Sequence, residues 1–336
     1  MSGSEPVTIR SATNERRTSS RASFFFLLTL LASPLASGAE GESGAAAAPS
    51  WGVGLYAEGD SEGGIGGLAD VTWFVGERSQ LYLAANYADT TRNLSGLATR
   101  GVSVGGAHDF GPVGVDIWYD GWQDPDVVTA RSVNGAVDVD LGDWTVALTG
   151  QVRRSDFEPF AADAEVTLRT GQQVTVTAAA DCDLDNTGLG LRVGYATGRW
   201  HGHARGMAYS YAETECRFSS PALDYLRRTR PAVFQQFARQ VTTPLSTSAT
   251  TWIGAENALL DRSWGGGIAY DSGRLEYAVD YLGLEEHFDG LRSDSLSGSL
   301  SIKVGKSLEV LVTAGYSEGE SLDPAWLGGL GLRAEF

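Results

Sequence analysis

Acidic and basic residues recur at alternate positions of the same strand-like segments. Asp116 and Asp120, then Asp138 and Asp140, share one face of two such segments, and neither adds a base to it. Arg153, Arg169, Arg192 and Arg205 occupy the equivalent face of later segments, and Asp280 follows later still. Even spacing puts side chains on a single face of a β-strand. Opposite charges facing one narrow, weakly screened space create a transverse field that orders polar solutes and sorts ions. That is selection rather than bond-making. The alternative is a solvated wall whose charges select nothing.

Other reactive residue types offer less. His201-Gly-His203 places two imidazoles on one strand face, which could bind a transition metal. The chain has 4 histidines and no carboxylate adjacent to these two in sequence, so a solvated pair is the better reading. No Gly-x-Ser-x-Gly elbow occurs, and Ser297-Gly298-Ser299 has no histidine or acid at a recognisable spacing. His287 follows Glu285 and Glu286 without forming a known catalytic pattern. No catalytic residue, metal or cofactor is expected. The two cysteines, Cys182 and Cys216, lack metal-ligand spacing; in an exported protein they are a disulfide candidate, with two free thiols as the alternative.

The elements that position these residues are strands. From Trp51 onward apolar residues alternate, as in Leu81/Leu83/Ala85/Tyr87, Val113/Val115/Ile117/Tyr119 and Leu189/Leu191/Val193/Tyr195. The series counts about sixteen strands and ends on Trp326/Leu330/Leu332/Ala334/Phe336, with Arg333 and Glu335 on the other face. Ala204 to Ala212 is its least convincing member. Short turns at Gly76-Glu77-Arg78, Gly142-Asp143, Thr170-Gly171, Gly198-Arg199, Asp271-Ser272-Gly273 and Gly305-Lys306 should lie on one side, with longer connections on the other. The apolar faces carry almost no charge, His108 excepted, as expected where mid-bilayer charge costs about 2–4 kcal/mol per residue. A soluble sandwich also alternates, but buries its apolar faces against each other. The alternation therefore predicts an all-β, antiparallel up-and-down transmembrane barrel, with the charged face lining the lumen.

Composition and the N-terminal segment agree. Arg10, Arg16, Arg17 and Arg21 precede the run Phe24 to Ala32, and Ser37-Gly38-Ala39 offers a cleavage site. Residues 1–39 read as a secretory signal, by the general route rather than a twin-arginine one. Residues 40–50 read as a flexible lead-in and 51–336 as the barrel. No later stretch approaches the roughly 18–20 apolar residues of a membrane helix. Forty-three glycines suit tight turns, and a net charge of −17 argues against nucleic acid as a partner. Outer-membrane lipid and small polar solutes or ions are the partners expected.

One connection, about 213–261, is far longer than a turn. Pro221 to Val241 reads as helical, with Arg227, Arg228, Arg230 and Arg239 supplying charge. Folded inward it would constrict the channel and favour anions; it could instead form an outer lid or touch a neighbouring protomer.

The signal, the mature length, the strand rhythm and the ending Gly329-Leu-Gly-Leu-Arg-Ala-Glu-Phe336 resemble the Gram-negative porins, especially the compact porins of alphaproteobacteria. That resemblance implies an outer-membrane location, a homotrimer of water-filled channels for passive diffusion, and recognition of Phe336 by the insertion machinery. The chain departs from it where porins carry a long, constricting third outer loop. Here Gly121-Trp-Gln-Asp-Pro-Asp126 is short, so constriction residues cannot be carried over. A plugged barrel that displays loops for adhesion is the competing reading.

Overall fold

The computed structural model describes residues 50–61, 63–89, 98–124, 128–167, 173–212, 215–219, 228, 260–287, 290, 292–305, 307–320 and 322–336. The signal and nearly all of the lead-in lie outside them. The strands are β1 (Ser50–Asp60), β2 (Ile65–Val75), β3 (Ser79–Asp89), β4 (Ala98–Asp109), β5 (Val113–Asp124), β6 (Val128–Leu141), β7 (Trp144–Thr167) and β8 (Gln173–Thr197). They continue as β9 (Trp200–Tyr211), β10 (Glu215–Ser219), β11 (Leu260–Asp271), β12 (Leu275–Glu286), β13 (Arg292–Val304), β14 (Leu308–Gly319) and β15 (Leu322–Glu335).

Each strand pairs antiparallel with its neighbours, β9 pairs with β11, and β1 pairs with β15. The circuit of fourteen strands therefore has no open edge, and β10 stands outside it. At the seam, Phe336 N donates to the Trp51 carbonyl at 2.8 Å and Trp51 N to the Phe336 carbonyl at 3.2 Å. Bilayer hydrocarbon offers no water to satisfy backbone groups, so closure is what makes a sheet compatible with it.

The ring has fourteen strands where alternation suggests about sixteen, because two pairs of short apolar runs are each one long strand. Trp144–Val152 and Ala164–Val166 both belong to β7, while Val174–Ala178 and Leu189–Tyr195 both belong to β8. A register shift between Phe157 and Phe160 flips the phase of β7, and in sequence such a bulge looks like a turn. In β8 the join is Asp181-Cys-Asp-Leu-Asp185, whose polar outward face resembles a connection. Residues 168–172 lie outside the described set, but Thr167 pairs with Gln173 at the end opposite Gly142-Asp143. The Thr170-Gly171 turn therefore belongs with the long connections, contrary to expectation.

Turns at Gly76, Gly111, Gly142, Gly198, Gly273 and Gly305 cluster at the end where β1 begins and β15 finishes. Each glycine has a positive φ, 60° to 97°, which tight hairpins require and side chains resist. The weakly patterned β9 is a full member of the ring. Its outward residues are small (Ala204, Ala208) and its bulky ones, His201 to Tyr211, face inward, so its outer signal is faint.

Outward residues form a continuous apolar band. Leu55, Leu81, Leu83, Val104, Ile117, Leu148, Val152, Leu191, Ile268 and Leu330 are all exposed, and Leu189 reaches 64%. Nothing in a soluble fold would leave so many aliphatics bare. Aromatic pairs border the band. Trp51 stacks on Trp73 at 5.5 Å, Trp144 meets Tyr195 at 4.7 Å and Trp200 meets Tyr270 at 4.8 Å near the turns. Tyr316 meets Trp326 at 5.0 Å toward the other end. Such girdles mark the two membrane interfaces. His108, the polar exception, sits at the turn-side rim, where its Nδ1 lies 2.7 Å from Ser79 Oγ. The molecule has the architecture of a transmembrane β-barrel. Arginine at the outward position Leu148 should lower folding stability in lipid vesicles by about 2–4 kcal/mol. Arginine at the adjacent inward Thr149 should cost far less, as measured by urea titration.

Candidate functional site

The inward face carries its charge near the turn-side mouth. Asp116, Asp138, Arg192, Arg205, His203 and Asp280 lie in the turn-proximal half of their strands, and Asp70 at the midpoint of β2. Asp116 and Asp138 stand on the adjacent strands β5 and β6; Arg192 and Arg205 are directly opposed on β8 and β9. The two groups predicted to face each other are thus separated round the wall by β7, with Asp138 and Arg192 flanking Ala147. Asp140 is exposed at the rim and accepts a hydrogen bond from Thr145 Oγ1 at 2.9 Å. Arg153 sits higher, between Ser132 and Asn186, and its Nε is buried without a partner.

Donors hold the acidic side to the wall. Tyr82 donates to Asp116 at 2.9 Å. Asp120 accepts from Ser103 at 2.6 Å, Trp118 Nε1 at 3.0 Å and Asn134 Nδ2 at 2.7 Å. Gln151 then donates to Asn134 Oδ1 at 2.8 Å, so one network runs from β4 to β7. Three donors fix the Asp120 carboxylate and leave it little freedom to enter the channel. Of these partners Tyr82, Ser103, Trp118 and Gln151 are missed by sequence reading. Their alternation with outward apolar residues is the signal that would have found them.

Just beyond β7, Arg205 is exposed to the lumen, and Arg192 beside it is half-buried. His203 Nε2 lies 3.6 Å from Asp280 Oδ1. The histidine therefore has a carboxylate neighbour that sequence reading did not supply, because β11 joins β9 to β12 across a gap of more than forty residues. Among the described residues no cluster of histidine, cysteine or carboxylates suits a metal ion.

A second inward feature is a row of serines. Ser293, Ser295, Ser297, Ser299 and Ser301 alternate along β13, and Ser293, Ser295 and Ser301 are buried. The strand reads Ser-x-Ser-x-Ser-x-Ser-x-Ser, a repeat visible in sequence, although only its centre is considered there, as a failed nucleophile.

Toward the far mouth the inward face changes character. Trp122, Val128, Ala130, Phe157, Leu184, Leu284 and Ala325 point inward and are buried, Val128 completely. Leu260 and Leu284 pack with Tyr209, Leu282 and Leu327. Side chains lining an open aqueous cylinder would be wetted; this collar is not. The collar is mixed, because Glu58, Ser132, Ser155, Ser293, Ser295 and Ser317 are buried on the same inward face.

Beyond the ring, β7 and β8 continue as a long ribbon. Once β9 ends, β10 takes its place on β8, with Cys216 directly opposite Cys182. Cys182 is buried and disulfide-bonded, and Cys216 is the only other cysteine in the chain. The long connection accordingly opens with a strand. Of its arginines only Arg228 is described, as helical and exposed; Arg227, Arg230 and Arg239 lie outside the described residues, as does Arg169 and most of Pro221–Val241. The side chains of Asp163 and Glu165 are likewise not described.

No protein-family model matches the sequence, and neither does any curated protein. Solved barrels are similar in outline. OccK1 (OpdK) of Pseudomonas aeruginosa has a TM-score of 0.39 at 9% identity, with 86% of this chain and 98% of that one covered. The CymD monoaromatic hydrocarbon channel gives 0.48 at 10%, covering 86% and 88%. A loop-deleted OmpT of Vibrio cholerae gives 0.40 at 12%, covering 87% and 100%. The fold assignment stands on the closed ring itself.

Replacing Asn134 by alanine should remove a donor from Asp120 and strand Gln151. The expected loss is about 1–3 kcal/mol in vesicle unfolding titrations, larger than for Asn86→Ala, whose side chain has no place in this network.

Proposed function

We propose that the barrel is a passive diffusion channel for small hydrophilic solutes or ions. The observation that carries this reading is the angular separation of charge: tethered carboxylates on β5 and β6, arginines on β8 and β9. A solute crossing that level experiences a sideways field in a medium less polarisable than bulk water. Arg205 and Arg192 would contact its electronegative groups, and the acidic wall would attract cations or donors. Homotrimerisation and recognition of Phe336 by the insertion machinery belong to the same proposal. They rest on the porin resemblance, whose sixteen-strand rhythm the fourteen-strand ring does not keep.

Refolded protein in planar bilayers should give discrete conductance steps. Arg192→Glu with Arg205→Glu should move the reversal potential toward cation selectivity, and Asp116→Asn with Asp138→Asn toward anions. Unchanged potentials in both series would remove the wall charges from the account.

The long connection is proposed to narrow this channel, and the buried collar supports a chain segment inside the mouth. Arg227, Arg228 and Arg230 changed together to glutamate should then increase cation preference. If the potential stays put, that segment lies away from the ion path.

The same collar favours a second reading, a barrel plugged at its outer mouth that serves as a surface scaffold. Purified protein that inserts yet shows no conductance steps would decide for it.

A further inference from the structure

We propose that Gly54 and Gly267 determine selectivity, each acting as a slot in the wall where a neighbouring carboxylate lies flat beside a base. The inference deepens the channel reading and rests on it for its electrical readout. Gly54 of β1 stands opposite Asp70 on β2 and opposite Arg333 on β15. Gly267 of β11 stands opposite Asp280 on β12 and opposite His203 on β9. In both triplets the acid and the base are two strands apart, about 9–10 Å between backbones. They can approach only by leaning over the residue between them. His203 and Asp280 do so, closing to 3.6 Å; Arg333 instead makes an ion pair with Glu335 at 3.7 Å.

The space they use is that of the missing side chain. A Cβ at Gly54 would fall inside the Asp70 carboxylate, and one at Gly267 inside that of Asp280 and also 2.9 Å from the Val279 carbonyl oxygen. Gly114 repeats the arrangement for Asp138, whose oxygens would lie 2.5 and 2.6 Å from a Cβ there. In that case the base, Arg192, lies on the other side, across the small residue Ala147. Glycine weakens a strand interior, so its recurrence opposite three wall carboxylates calls for a reason.

Asp116 and Asp120 provide the contrast. Neither has a glycine opposite: Asp116 lies between Ala107 and Ala136, and Asp120 between Ser103 and Ser132. Hydroxyl, indole and amide donors hold these two instead. The wall thus restrains its carboxylates in two ways, by hydrogen bonds or by a slot. In a slot the carboxylate lies along the wall and out of the solute path, at Gly267 beside His203, while Arg205 is exposed to the lumen. Filling the slot drives the carboxylate into the channel, which narrows it and adds negative charge at the charged level.

The test is a double-mutant cycle on refolded protein. Gly267→Ala and Gly54→Ala should each lower single-channel conductance and move the reversal potential toward cations. Gly54→Ala/Asp70→Ala should instead match Asp70→Ala alone, because the atoms nearest a Cβ at Gly54 all belong to the Asp70 side chain. Gly194→Ala is the control, an inward glycine whose Cβ would meet nothing nearer than 3.8 Å, and it should leave both readings unchanged. Unaltered conductance and potential in the two slot variants, or no rescue by Asp70→Ala, would overturn the proposal. If Gly54→Ala does not fold but Gly54→Ala/Asp70→Ala does, as seen by heat-modifiable gel mobility, the clash is confirmed; failure of both overturns it. Should the wild type show no steps, the channel reading falls. The slots are then judged by the same cycle in urea unfolding, where coupling between Gly54 and Asp70 is expected and additivity would refute them.

Discussion

Hydrocarbon contains no partner for a peptide group, and from that lack most of this architecture follows. Every strand must be paired on both edges, so the sheet has to close, with β15 meeting β1 through the Trp51–Phe336 pair. Closure then fixes which side of each strand touches lipid. Because side chains alternate with a period of two, the aliphatics of the outer face and the charges of the inner face come from the same segments. The hydrophobic band is therefore exposed, and polar chemistry is confined to the interior.

That confinement has consequences inside. Ionised groups on neighbouring strands are brought within a few ångströms of each other in space that water fills only in part. The structure answers with separation and restraint. Acids cluster on β5 and β6, bases on β8 and β9, and the carboxylates are tied down by hydroxyl, amide and indole donors or laid over glycines. An untethered carboxylate would sweep the lumen; a fixed one contributes a field of constant direction. Preorganisation of this kind is what the proposed channel would need to discriminate between solutes with a static wall.

Along its axis the barrel is unequal. The turn-side half is charged and wet, whereas the far mouth is lined by Trp122, Val128, Phe157, Leu184 and Leu284, all buried. Above it the β7–β8 ribbon continues past the ring and recruits β10 at the cysteine pair. Within the bilayer an edge strand would be costly, but outside it water satisfies the free backbone groups. The ribbon can thus end in an open edge where the barrel could not.

Much of this was legible in the chain alone. Alternation identified the barrel and its outward faces, since a strand's two faces are set by sequence parity alone. Parity failed at Phe157–Phe160, where one bulge reversed it, and at Asp181–Asp185, where a water-facing continuation looked like a loop. The strand count was correspondingly too high. Neighbour relations are another matter. Which residue lies opposite which depends on the register of two strands, and register is a property of the closed ring rather than of either segment. Hence the meeting of His203 with Asp280, the three donors on Asp120, the glycines under Asp70 and Asp280 and the buried collar appear only in the tertiary structure. Sequence parity determined which wall each side chain would face; the shear of the closed sheet decided what it would find there.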